Sequence, residues 1–169
     1  MLSLSRPILY ACFVLNMSAI GLAQSPNKDN APIPNQIFDA KKVFISNAAA
    51  DANVITTLRR MGQPGLPYDR FYSEMKAWGR YELVSTPADA DLVFEIRFSA
   101  PITDFNGQLT SYAPQYDLSI VDVKTHFTLW SLAAPVQEAF RKATLAKNLD
   151  EGMAALMSDL KKLAIQPAS

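Results

Sequence analysis

The stretch Leu92-Val93-Phe94-Glu95-Ile96-Arg97-Phe98-Ser99 alternates without a break. As a strand it sends Leu92, Phe94, Ile96 and Phe98 to one side and Val93, Glu95, Arg97 and Ser99 to the other. One side is dry and the other wetter, so the pattern predicts a sheet covered on a single face. Downstream, residues 115–123 predict a further strand with Tyr116, Leu118 and Ile120 inward. The turn Asp122-Val123-Lys124-Thr125 leads into residues 127–132, completing a hairpin. Between these strands, residues 101–114 read as a loop with Asn106-Gly107 at its tip. Upstream, residues 86–91 read as a turn and residues 81–85 as a strand. Residues 42–47 form a short apolar run suited to a buried central strand.

Two helices accompany these strands. In residues 68–78, Tyr68, Phe71, Tyr72, Met75 and Trp78 share a face, which predicts an amphipathic helix with Trp78 in the core. Pro67 suits its first turn and Gly79 the position just past its end. In the last helix, Leu149, Met153, Leu156, Met157, Leu160 and Leu163 make one stripe. Asn148 reads as its cap, with Glu151 three residues on, and Asp150 and Glu151 as its acidic first turn. Residues 51–61 fit a helical spacing, but their β-branched run opposes it, and residues 63–67 read as a loop. Residues 133–147 are poorly patterned, and Pro135 cannot occupy a central strand. The order is β-α-β-β-β-β-α. It predicts an α+β fold with a single mixed sheet: one parallel pair from the helical crossover, an antiparallel meander after it, and two main helices packed on one face.

Residues 1–23 read as a secretory signal peptide. Arg6 precedes a short apolar run, and cleavage is expected after Ala23 in the frame Gly21-Leu22-Ala23. The run is short and interrupted for a membrane span, so a retained anchor is the alternative. A lipidated Cys12 is another, opposed by bulky Tyr10 in Leu9-Tyr10-Ala11. Cleavage removes Cys12, the one cysteine, and with it any disulfide. Residues 24–40, QSPNKDNAPIPNQIFDA, predict a flexible tether. Residues 41–165 predict a single α/β domain, of a size that can build a core without staples.

Composition and motifs exclude more than they assign. Lysine plus arginine and aspartate plus glutamate both number 16, with no basic block, so nucleic acid is not an expected partner. His126 is the one histidine, at the start of a hairpin strand, and no Gly-x-Ser-x-Gly elbow exists to serve it. Zinc would need cysteines or several histidines. Gly62 and Gly65 lack the Lys-Ser/Thr of a phosphate loop. Asp89, Asp91, Asp117 and Asp122 are too sparse for calcium, and Asp89, Asp91 and Asp122 read as turn residues that cap their own backbone. No residue is therefore assigned to catalysis, to a cofactor or to a metal.

The segments Ala90-Asp91-Leu92-Val93-Phe94-Glu95-Ile96, Leu118-Ser119-Ile120-Val121-Asp122-Val123-Lys124-Thr125 and Leu129-Trp130-Ser131 resemble a family of uncharacterised secreted proteins of soil bacteria such as acidobacteria. Residues 71–76 and Trp78-Gly79-Arg80-Tyr81-Glu82-Leu83-Val84 are similar to it as well, so the resemblance spans roughly residues 42–163. The strand order resembles the amino-terminal domain of TolB-type envelope proteins. Neither resemblance implies an active site. The expectation is a periplasmic or secreted, non-enzymatic domain that binds another envelope protein, with no membrane span left after signal cleavage. An open mixed sheet has edges that can accept a partner strand. The alternative is a small-ligand-binding periplasmic protein with a pocket of Phe105, Tyr112 and Tyr116.

Overall fold

The structure, a computed structural model, describes residues 31–50, 66–105 and 110–165, with the backbone alone at 49, 104, 105 and 110. The expected signal peptide, the first part of the tether, residues 51–61 and the Asn106-Gly107 tip lie outside the described residues.

The elements are helix α1 (Asn35–Asp39), strand β1 (Lys42–Ala50), helix α2 (Leu66–Trp78), strand β2 (Glu82–Val84), a 3-10 turn (Pro87–Asp89), strands β3 (Leu92–Ser99), β4 (Ile102–Phe105), β5 (Thr110–Tyr112), β6 (Gln115–Asp122) and β7 (Thr128–Pro135), and helix α3 (Lys142–Ile165). Five strands make one mixed sheet in the order β2-β1-β3-β6-β7, while β4 and β5 pair separately. The fold is α+β, as the alternation implies.

β3 sits at the centre. Its Leu92, Phe94, Ile96 and Phe98 are all buried, and they pair across β6 with Asp122, Ile120, Leu118 and Tyr116. Both long helices lie on this face. Phe71 of α2 meets the Phe94 ring at 6.5 Å between centroids. On α3, Leu149, Met153, Leu156, Met157, Leu160 and Leu163 are buried, as their stripe predicts. Gly152 lets α3 approach β6 and β7 closely: a Cβ there would come within 2.6 Å of Val136 Cγ2 and 3.4 Å of the Tyr116 ring. Gly79, at φ +67°, ends α2 and returns its N–H to the Met75 carbonyl at 3.2 Å.

Several expectations are corrected. The meander does not begin at β2. β2 and β3 both run parallel to β1, one on each side. β2 is three residues long, so seven residues with one 3-10 turn bring the chain back across the start of β1. Residues 33–39, expected within the flexible tether, are part of the fold: Pro34 leads into α1, Ile37 is fully buried, and Ile33 packs on the core. Tyr81 Oη donates to the Ile37 carbonyl at 3.3 Å, tying this segment to the chain just before β2. Ile33 before α1 and Ile37 within it supply the apolar side chains that this proline-rich segment buries. Residues 101–105 and 110–114, expected as loop, carry β4 and β5. Leu66 and Pro67 belong to α2, not to the loop before it.

Trp78 is half-buried, not core, and Tyr72 is 38% exposed. Tyr68 and Trp78 flank the buried Phe71 and Met75 and pack only partly against the core, Trp78 as the last residue of the helix. Trp78 instead packs edge-on against Tyr81 at 5.5 Å. α3 begins at Lys142, six residues before Asn148, so Asn148 is no cap and Asp150 and Glu151 lie inside the helix. The Asn148 amide donates to the Gln137 carbonyl at 2.8 Å, holding the loop between β7 and α3.

Candidate functional site

The face of the sheet away from the helices is ordered by register. Val84, Phe44, Val93 and Val121 line up across four strands as a half-buried apolar row. Beside it run Ser46, Glu95, Ser119 and Ser131. Next comes a polar group around Asp117. Its carboxylate accepts from Ser99 Oγ at 2.5 Å and Gln115 Nε2 at 2.7 Å, and Arg97 stands at 3.5 Å. Alternation puts all four residues on the outer face. That they meet depends on the β3–β6 register, which alternation does not carry.

β4 and β5 extend the β3–β6 pair beyond the sheet as an arm. Pro101 and Pro114 mark its root, where the Ala113 N–H reaches the Pro101 carbonyl at 2.9 Å. Neither proline has an N–H to give the ladder. On the arm, Ile102 and Tyr112 are cross-strand partners, 60% and 39% exposed. The side chains described on the arm, at 102, 103, 111 and 112, are all exposed, and a two-stranded ribbon is marginal by itself.

The carboxylates take separate roles. Asp91 does not cap its own turn; it accepts from the backbone N–H groups of Lys41 and Lys42 at 2.8 and 2.9 Å, pinning β1 to the start of β3. These bonds to the charged form hold its carboxyl below the ordinary aspartate value. Asp89 accepts from Thr86 Oγ1 at 2.6 Å. Asp122 caps the β6–β7 turn as expected, accepting from Thr125 Oγ1 at 2.7 Å and the Thr125 N–H at 3.2 Å. The Thr125 hydroxyl above all lowers its carboxyl value. His126 closes that turn, exposed, at φ +61°, with its N–H on the Asp122 carbonyl at 2.8 Å. Among the described residues no three His, Cys, Asp or Glu side chains gather closely enough for a metal.

The aromatic pocket does not assemble as expected. Tyr116 is fully buried in the core, whereas Tyr112 stands on the arm. The Phe105 side chain lies outside the described residues. Burial pushes the Tyr116 phenol up to about 12, and among the described residues its hydroxyl has no hydrogen-bond partner. A shallow cleft of about 420 Å³ lies between α2 and α3, lined by Asp69, Arg70, Ser73, Glu74, Asp150 and Met153. The Arg70–Asp150 ion pair bridges it. Among the described residues no helix is long and apolar enough to cross a membrane.

No family model matches the chain, and no curated protein sequence matches it. Solved structures do align with it. A PelC dodecamer from Paraburkholderia phytofirmans is 11% identical over 76% of this chain and 92% of that one, with a TM-score of 0.46. Protein XCC0632 from Xanthomonas campestris is 10% identical over 79% and 87%, with a TM-score of 0.46. Lipoprotein GNA1162 from Neisseria meningitidis is 12% identical over 70% and 99%, with a TM-score of 0.30.

Proposed function

We propose that this chain is an exported, non-enzymatic domain of the cell envelope that works by binding another envelope protein at its arm and open sheet face. The carrying observation is the exposed Ile102–Tyr112 pair on a ribbon whose described side chains are all exposed. An apolar cross-strand pair on a projecting ribbon is a feature that a partner can cover. The histidine and the carboxylates support the non-enzymatic reading, because turn and strand contacts account for Asp89, Asp91, Asp117 and Asp122. Export rests on residues 1–23, and mass spectrometry of the exported protein should find Gln24 at its start.

Affinity capture from the native envelope, with the arm intact and with Ile102→Asp plus Tyr112→Asp, tests the reading. The intact protein should retain a partner that the double variant loses, with the circular dichroism of the two unchanged. A partner held equally by both would move the site off the arm.

A further inference from the structure

β7 is an edge strand. Among the described residues nothing pairs with its free side, and α3 packs on its face. Exposed edges present unpaired N–H and C=O groups, and proteins usually blunt them with charge, proline or a bulge. Thr128–Pro135 contains no charged residue. Its blunting is confined to the ends: an irregularity in the register near Leu129, and Pro135 as the last residue. Residues 130–134 between them form a regular, uncharged edge.

What lies at the two ends identifies the occupant. At the turn before β7 stand exposed Lys124 and Phe127, the latter 72% exposed. Past the far end stand exposed Glu138 and a fully exposed Phe140. Neither Lys124 nor Glu138 makes a salt bridge within the described residues. We propose that a second copy of this chain occupies the β7 edge, antiparallel about a two-fold axis. Such a copy brings its Glu138 end to the Lys124 end of the first and its Phe140 toward Phe127, and symmetry repeats both meetings. A parallel copy would set like ends together. Half-buried Trp130 and Leu132 of each copy would then be covered across the axis, and two five-stranded sheets would become one of ten. This edge is separate from the arm, so the proposal goes beyond the binding function above.

Sedimentation equilibrium of the full exported chain tests it. The chain should run at twice its own mass at micromolar concentration. Ser131→Lys, which sets like charges together near the axis, should weaken the dimer about tenfold or more. Lys124→Glu should weaken it as well, and Lys124→Glu with Glu138→Lys should restore it. Ile102→Asp plus Tyr112→Asp should leave it unchanged, which separates this test from that of the arm. A monomer at about 100 μM, or a dimer indifferent to Ser131→Lys, would overturn the proposal. A dimer that the charge reversal does not rescue would overturn its antiparallel arrangement.

Discussion

The β3–β6 ladder and the β4–β5 arm are two parts of one ribbon, separated by Pro101 and Pro114. Both are antiparallel pairs. The inner part places Phe94, Ile96, Leu118 and Ile120 at or below 1% exposure, while the arm leaves Ile102 at 60%. Strand pairing alone therefore decides little about stability here. The inner part is stable because two helices cover it; on the arm no described element covers the Ile102–Tyr112 pair, so its pairing lacks that support.

The sharpest test removes an apolar side chain from each part. Phe94→Ala empties a site between the Phe71 and Tyr81 rings and should cost about 3–5 kcal/mol in urea unfolding. Ile102→Ala should cost less than about 0.5 kcal/mol, as for an exposed position. A comparable loss at Ile102 would mean that the arm is buried in the working protein and would break the comparison.

What covers the inner part comes next. Gly152→Ala puts a methyl against Val136 Cγ2, a stiff, buried, β-branched neighbour. Overpacking should outweigh the gain in helix propensity, leaving a net loss of about 1–2 kcal/mol, and Val136→Ala should relieve it. A neutral Gly152→Ala would show that α3 sits on the sheet more loosely than its contacts imply.

Tyr116 lies where the ribbon passes from core to arm, and its buried hydroxyl lacks a partner among the described residues. Tyr116→Phe should raise stability by about 1 kcal/mol. It should also change the alkaline limb. A phenol held at about 12 in the fold, against 10.0 unfolded, contributes stability that is complete below pH 10 and declines as pH rises through the folded value. Unfolding followed from pH 9 to about 12 should therefore fall less steeply in Tyr116→Phe.

At the other end of the ladder, the lowered carboxyls of Asp91 and Asp122 work in the opposite direction. Their contribution is present above the ordinary aspartate value of 3.8 and is lost as pH falls through their lower folded values. Asp91→Asn should make acid unfolding less steep below that pH. The smallest effect belongs to His126→Ala, within about 0.5 kcal/mol and without change in partner capture. Loss of capture in a folded His126→Ala protein would place the site at the hairpin turn instead of the arm.

Elements whose signal lies within one segment need no tertiary contact to be read. The alternation of β3 and β6, the stripe of α3, Gly79 at the end of α2 and the Asp122 turn were all legible, because side-chain period and turn chemistry act over a few residues. Which segments become neighbours depends on contacts between distant parts of the chain. Placing β1 between β2 and β3 depends on a three-residue strand and a short return. The bonds from Lys41 and Lys42 to Asp91 close a separation of about fifty residues. Ile37, Asn148 and Trp78 were misread for the same reason: each was judged by its own segment, and its burial or hydrogen bond is set by another. The edge at β7 and the exposed Ile102–Tyr112 pair belong to this second class, since among the described residues both are defined by which strands pair and which elements cover them.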